Sequence, residues 1–149
     1  MPYYYHIHRG IKPCSLDNKF IKNKPLFFSK KNSIWYNIEK EISKDYGGYR
    51  MYEIYIPRSQ FTLSFNPKTK DKIVKITPDN IKEYKELKVI PNGFYPHYPF
   101  IDNMKKKRNI IGIDATLEHH ELRITGLPEG FIWKKPKDIK IKLINIVKL

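Results

Sequence analysis

The chain has one cysteine, Cys14, so no disulfide can form within it, and the disulfide-dependent folds of small secreted domains are excluded. It also lacks any apolar run approaching the roughly 20 residues that a membrane-spanning helix needs. The N-terminal MPYYYHIHRG has no basic lead followed by an apolar stretch, so it does not read as a secretory signal. These absences predict an intracellular protein, cytoplasmic or nuclear, with no membrane partner. Internal repeats, a low-complexity tail and a domain boundary are missing too, and 149 residues suit a single domain spanning 1–149. Acidic residues are scarce: 15 Asp and Glu face 29 Lys and Arg, a formal charge of +14. That excess attracts phosphate-rich molecules and predicts an acidic macromolecule as partner, such as nucleic acid or a ribonucleoprotein. Lys outnumbers Arg, however, and Asn, Ile and Tyr are abundant, as an AT-rich coding sequence produces in any protein. A lysine is a point charge rather than a fork for phosphate or bases, so the charge has a compositional reading beside the functional one.

What is present is apolar and strand-favouring. Hydrophobic residues make up 40% of the chain, enough for a core, and much of that share is Ile, Tyr and Phe. Residues 3–9 (YYYHIHR) predict a first strand closed by Gly10, and Leu26-Phe27-Phe28 a short second one. Asn32 or Ser33 can cap a helix with Ile34, Trp35, Ile38 and Ile42 on one face, ending at Gly47-Gly48. Residues 49–56 alternate, with Tyr52, Ile54 and Ile56 on one face, until Pro57 stops the strand. Phe61, Leu63 and Phe65 alternate again, and 73–76 predicts a further strand. Thr77-Pro78 opens a second helix to about Leu87. Three prolines and a glycine make 91–100 irregular. Strands are expected at 110–113, 115–124 and 139–149. The fold class is α+β: two short helices on a mostly antiparallel β core, expected to form two sheets.

His6 and His8 lie two apart on a strand and so share a face. With His119, His120 and Glu121 they make a metal site conceivable. No second motif has tight metal-ligand spacing, so no metal is expected, and such histidines are more often core or edge residues.

Three blocks in order carry a more specific pattern. His8-Arg9-Gly10 ends the first strand. Leu26-Phe27-Phe28-Ser29 leads into a helix bearing Trp35 and Tyr36, then into the strand 49–56. Glu121, followed by Leu122-Arg123-Ile124, falls on a late strand. This succession resembles the ADP-ribosyltransferase fold family, over about the first 60 residues and a patch near 121. The resemblance implies a split β-sandwich, NAD as the bound cofactor, and transfer of ADP-ribose to a macromolecule, or an inactive relative that still binds a nucleotide. It implies that His8, Arg9 and Gly10 hold the NAD, that Phe28 and Tyr36 flank the nicotinamide, and that Glu121 is catalytic, with Glu118 a competitor for that role. His119, two before Glu121, stands where the arginine-modifying branch has Glu or Gln, which points away from an arginine acceptor. The chemistry is coherent: aromatic rings suit a flat cationic nicotinamide, and a carboxylate stabilises the oxocarbenium ion that forms as the glycosidic bond breaks.

A rival reading is non-enzymatic. Lys105, Lys106, Lys107 and Arg108 adjoin an aromatic loop with Tyr95 and Tyr98, and cations interleaved with rings are how single-stranded nucleic acid is gripped. A viral assembly protein whose charge packs against a genome is a third reading.

Overall fold

A computed structural model describes residues 3–12, 26–86, 109–116 and 129–149. The fold is α+β, as the alternating patterns predict; the described residues form two helices and two sheets in which antiparallel pairings outnumber parallel ones. Its strands are β1 (Tyr3–Arg9), β2 (Leu26–Phe28), β3 (Gly48–Tyr55), β4 (Phe61–Thr62), β5 (Lys72–Lys75), β6 (Ile110–Asp114), β7 (Gly130–Ile132) and β8 (Lys140–Lys148). The helices are α1 (Ile34–Ile42) and α2 (Ile81–Glu86).

The first sheet has the order β1-β3-β8, antiparallel throughout. The second runs β2-β7-β6-β5-β4, antiparallel between β2, β7 and β6 and parallel from β6 through β5 to β4. Their facing surfaces share one apolar layer: Tyr4, Ile54 and Ile56 of the first meet Leu26, Phe28, Ile73, Ile111 and Ile132 of the second. On the other face of the first sheet, Tyr36 of α1 packs on Ile7, Tyr49 and Met51. On the other face of the second, Ile81 and Tyr84 of α2 pack on Val74, Ile76, Ile110, Ile113 and Phe131. A buried polar knot pins the layers, Tyr4 donating to Asp114 Oδ2 (2.8 Å) while the Thr116 N–H and hydroxyl donate to Oδ1.

Local chemistry explains the element boundaries. Ser33 caps α1, its hydroxyl accepting from the Tyr36 N–H at 3.3 Å, a bond that typically contributes about 1 kcal/mol. A short 3-10 turn, Ser43–Tyr46, extends the helix, and Gly47 closes it. The buried face of α1 differs from the expected one: Trp35 and Tyr36 are buried while Ile34 is exposed. The strand expected through Phe61, Leu63 and Phe65 lasts only two residues. There Thr62 Oγ1 accepts from the Ser64 N–H and Ser64 Oγ from the Asn66 N–H, so side chains take backbone donors that a ladder needs. The second helix starts later than expected. The Asn80 side-chain Oδ1 accepts from the Thr77 N–H and its Nδ2 donates to the Leu63 and Lys75 carbonyls, fixing 77–80 as a turn. Strand β7 is absent from the sequence reading. Most of the strand expected at 115–124, and all of the irregular stretch 91–100, lie outside the described residues.

Candidate functional site

β1 is an edge strand, and the two sheets are joined along it at one point. Tyr5 exchanges both main-chain hydrogen bonds with Ser29, each 2.9 Å, and no further pairing links β1 to β2 among the described residues. Antiparallel alternation turns the N–H and C=O of Ile7 to that same edge. The gap beyond the Tyr5–Ser29 bridge is a mostly apolar cavity of about 240 Å³. β1 contributes His6, His8 and Arg9 to its wall; β2 contributes Phe27 and Phe28; α1 contributes Trp35 and Glu39.

His6 is held by the Phe27 carbonyl, 2.8 Å from its Nδ1. A carbonyl only accepts, so Nδ1 carries the proton and Nε2 offers its lone pair toward His8 Nδ1, 3.5 Å away. Burial, reinforced by the neighbouring His8 and opposed by the bond to Phe27, pushes His6 down to about 4, so the ring is neutral at neutral pH. Behind the histidines on the same sheet face, His6 stands opposite Tyr52 and His8 opposite Arg50. Arg50 is buried, and its Nε–H donates to the Tyr52 hydroxyl at 3.1 Å. Arg9 forms a fork with Glu39 on α1 (Nε to Oε2 3.1 Å, Nη2 to Oε1 2.9 Å) and lies 5.7 Å from the Tyr46 ring centre. Gly10, with φ +94°, ends the strand in a conformation that side chains rarely adopt, and its N–H donates to the Gly48 carbonyl.

The aromatic wall differs from the expected one. Phe28 is buried, edge-on to Tyr4 at 4.9 Å, and lies against β7 where Gly130 leaves room for its ring. Trp35, not Tyr36, is the helix aromatic at the cavity. Consecutive helical residues point about 100° apart, so with Trp35 on the cavity Tyr36 turns to the first sheet. There its hydroxyl meets Met51 Sδ at 3.7 Å and its ring stands edge-on to Tyr5. Tyr36, expected at the nicotinamide, does not line this cavity.

Glu121 and Glu118, the cluster Lys105, Lys106, Lys107 and Arg108, and Tyr95 and Tyr98 lie outside the described residues. Among the described residues no three His, Cys, Asp or Glu side chains gather as metal ligands. No described helix is long and apolar enough to cross a membrane.

Glu129 was missed by the sequence reading. It immediately precedes β7, next to Gly130, which pairs with Phe28 at the cavity wall. Its Oε2 is buried with no hydrogen-bond partner among the described residues. Burial first, and the negative charge of Glu39 second, push its carboxyl up to about 9. The available signal was a glutamate between Pro128 and the apolar Phe131-Ile132-Trp133, where a carboxylate on a short strand has little room to reach water.

No family model matches this chain, and no curated protein or solved structure matches it either.

Proposed function

We propose that the cavity between the diverging sheets binds NAD and that the protein transfers ADP-ribose from it to an acidic macromolecule. One observation carries this reading. His8 and Arg9 of the first strand line a single cavity with Phe28 and Trp35, which lie about 20 to 27 residues later in the sequence. A volume of about 240 Å³ is below the ~300–1,000 Å³ of sites that enclose a drug-sized ligand, so the cavity suits one end of a dinucleotide. The nicotinamide fits the aromatic end, lined by Phe28 and Trp35, since aromatic rings suit a flat cation. Arg9 is the group for a phosphate, and such a phosphate competes with the Glu39 carboxylate for the guanidinium fork. His6 and His8 are hydrogen-bonding groups for the ribose hydroxyls.

The reaction needs one carboxylate near the breaking bond, to stabilise the oxocarbenium ion and orient the ribose. Glu129 precedes Gly130, the partner of Phe28, although it does not itself line the cavity as Glu39 does; it and Glu121 are the candidates for that role. The +14 charge supports recruitment of an acidic acceptor, such as nucleic acid or an RNA-bound protein.

Calorimetry with NAD and assay of nicotinamide release test the reading. Binding weakened by Arg9→Ala, with release abolished by Glu129→Gln or Glu121→Gln at unchanged affinity, supports transfer and identifies the carboxylate. Binding without release makes the protein an inactive nucleotide-binding relative. Neither heat nor nicotinamide at millimolar NAD rejects the reading.

A further inference from the structure

Among the described residues, the outer face of the first sheet is only partly covered. α1 packs over Ile7, Tyr49 and Met51, at one end of that face. At the other end the ladder sets two rows of three across the strands: Tyr3, Tyr55 and Lys140, then Tyr5, Glu53 and Lys142. Directly paired residues share a face, so all six side chains stand on the same side. A shallow open depression of about 310 Å³ lies over Tyr3, Tyr55, Glu53, Lys140 and Lys142. The Tyr3 and Tyr55 rings are 5.4 Å apart and tilted by 57°, and Tyr3 is 40% exposed.

We propose that this face binds a single-stranded polynucleotide, with bases on Tyr3 and Tyr55 and the phosphate backbone along Lys140 and Lys142. The argument is one of chemical complementarity. Rings on adjacent strands form a platform on which unpaired bases stack, whatever their sequence, because every base has a π-face. Lys140 and Lys142 alternate out of the same strand, about 6.8 Å apart, close to the step between successive phosphates of an extended strand. Glu53 stands beside Tyr55 on β3, between Tyr5 and Lys142, where a carboxylate accepts from base amino groups and repels phosphate. It thus holds the backbone to the β8 side, and the Tyr5 hydroxyl, 3.5 Å from Oε2, fixes the carboxylate. A duplex hides its base faces and cannot use the platform. The overall charge of +14 raises the local concentration of any such strand. This surface is separate from the gap at the β1 edge and stands or falls independently of NAD.

The test is fluorescence anisotropy with labelled single strands of about 12 nucleotides, RNA and DNA, and with the matching duplex. Binding of either single strand in preference to the duplex is expected. Tyr3→Leu, and separately Tyr55→Leu, should raise Kd about tenfold, the scale of one lost stacking contact. Lys140→Gln with Lys142→Gln should flatten the slope of log K against log salt by about 1.4, at ~0.7 per phosphate contact. A control pair elsewhere, Lys44→Gln with Lys82→Gln, removes the same charge and should leave the slope near the wild-type value. Circular dichroism confirms that each variant is folded. Failure of both single strands to bind overturns the proposal, as does equal affinity for duplex. So does an unchanged Kd in folded Tyr3→Leu and Tyr55→Leu proteins, or a control pair as damaging as the β8 pair.

Discussion

Replacing Glu129 by Gln should stabilise the protein, and by an amount that depends on pH in a defined way. In the unfolded chain this carboxyl loses its proton near 4.5; in the folded protein burial and the Glu39 charge hold the proton until about 9. Between those values the native state binds more protons than the unfolded state, so the wild type loses stability as pH rises through the window. Glutamine fills the same volume without a proton to lose. Each pH unit is worth about 1.36 kcal/mol, so the 2.5 units from 4.5 to 7 amount to about 3 kcal/mol in favour of the variant. For a domain of this size that is roughly a 10 °C rise in melting temperature at pH 7. Below pH 4.5 both states are protonated and the two proteins should melt together. Titrations shared by both proteins cancel in the difference, so urea or thermal unfolding of the pair at pH 4, 6 and 8 isolates this one group. A constant difference across that range would show that Glu129 ionises normally and refute the argument. Glu39→Gln removes the second cause, and should close the window at a lower pH.

Two further outcomes follow from the cavity's geometry. A Cβ added at Gly130 would come 2.2 Å from Phe28 Cε2, so Gly130→Ala must push a fully buried ring aside; about 1–3 kcal/mol of lost stability is expected in urea unfolding, partly restored by adding Phe28→Leu. On α1, Trp35→Leu should weaken NAD binding by about tenfold or more in calorimetry, on the scale of a lost aromatic contact, while Tyr36→Phe, which gives up only the contact with Met51 Sδ, should leave it unchanged.

The fold was legible where periodicity and local chemistry agree. β3 and β8 emerge from alternation, β1, β5 and β6 from short β-favouring runs, and α1 from Ser33 and Gly47-Gly48 at its ends. Pairing partners were less so. β4, β5 and β6 run parallel, and nothing in a five-residue apolar run says which direction its neighbour takes. β7 has three residues between proline-bearing stretches, too few for a period to register. β4 fails as a strand because Thr62 and Ser64 divert the backbone, which needs the side-chain hydroxyls to be weighed against the apolar pattern around them.

The candidate site was half legible, for a physical reason. A motif in the sequence names residue types but not which of two neighbours faces a gap. His6 and His8 were legible as neighbours on one strand face, whereas Arg9 and the block around Phe28 were named through the family resemblance; all four line the cavity. On α1, Trp35 and Tyr36 are equally aromatic, and only the packing of Tyr36 onto Ile7, Tyr49 and Met51 decides that Trp35 meets the cavity. Glu129 was invisible because its distinguishing property is its surroundings: a buried oxygen without a partner and a like charge on another element. That same property ties stability to the proposed chemistry. A carboxyl held protonated cannot stabilise a cation, so the free protein keeps Glu129 silent at neutral pH. A cationic nicotinamide beside Phe28, and a phosphate drawing Arg9 from Glu39, act on it in opposite directions: the cation favours ionisation, whereas uncovering the Glu39 charge opposes it. If Glu129 is the carboxylate of the reaction, nicotinamide release should therefore rise with pH, with an apparent pKa below about 9 when the cation dominates. A release rate independent of pH from 6 to 9 would assign the chemistry to another carboxylate.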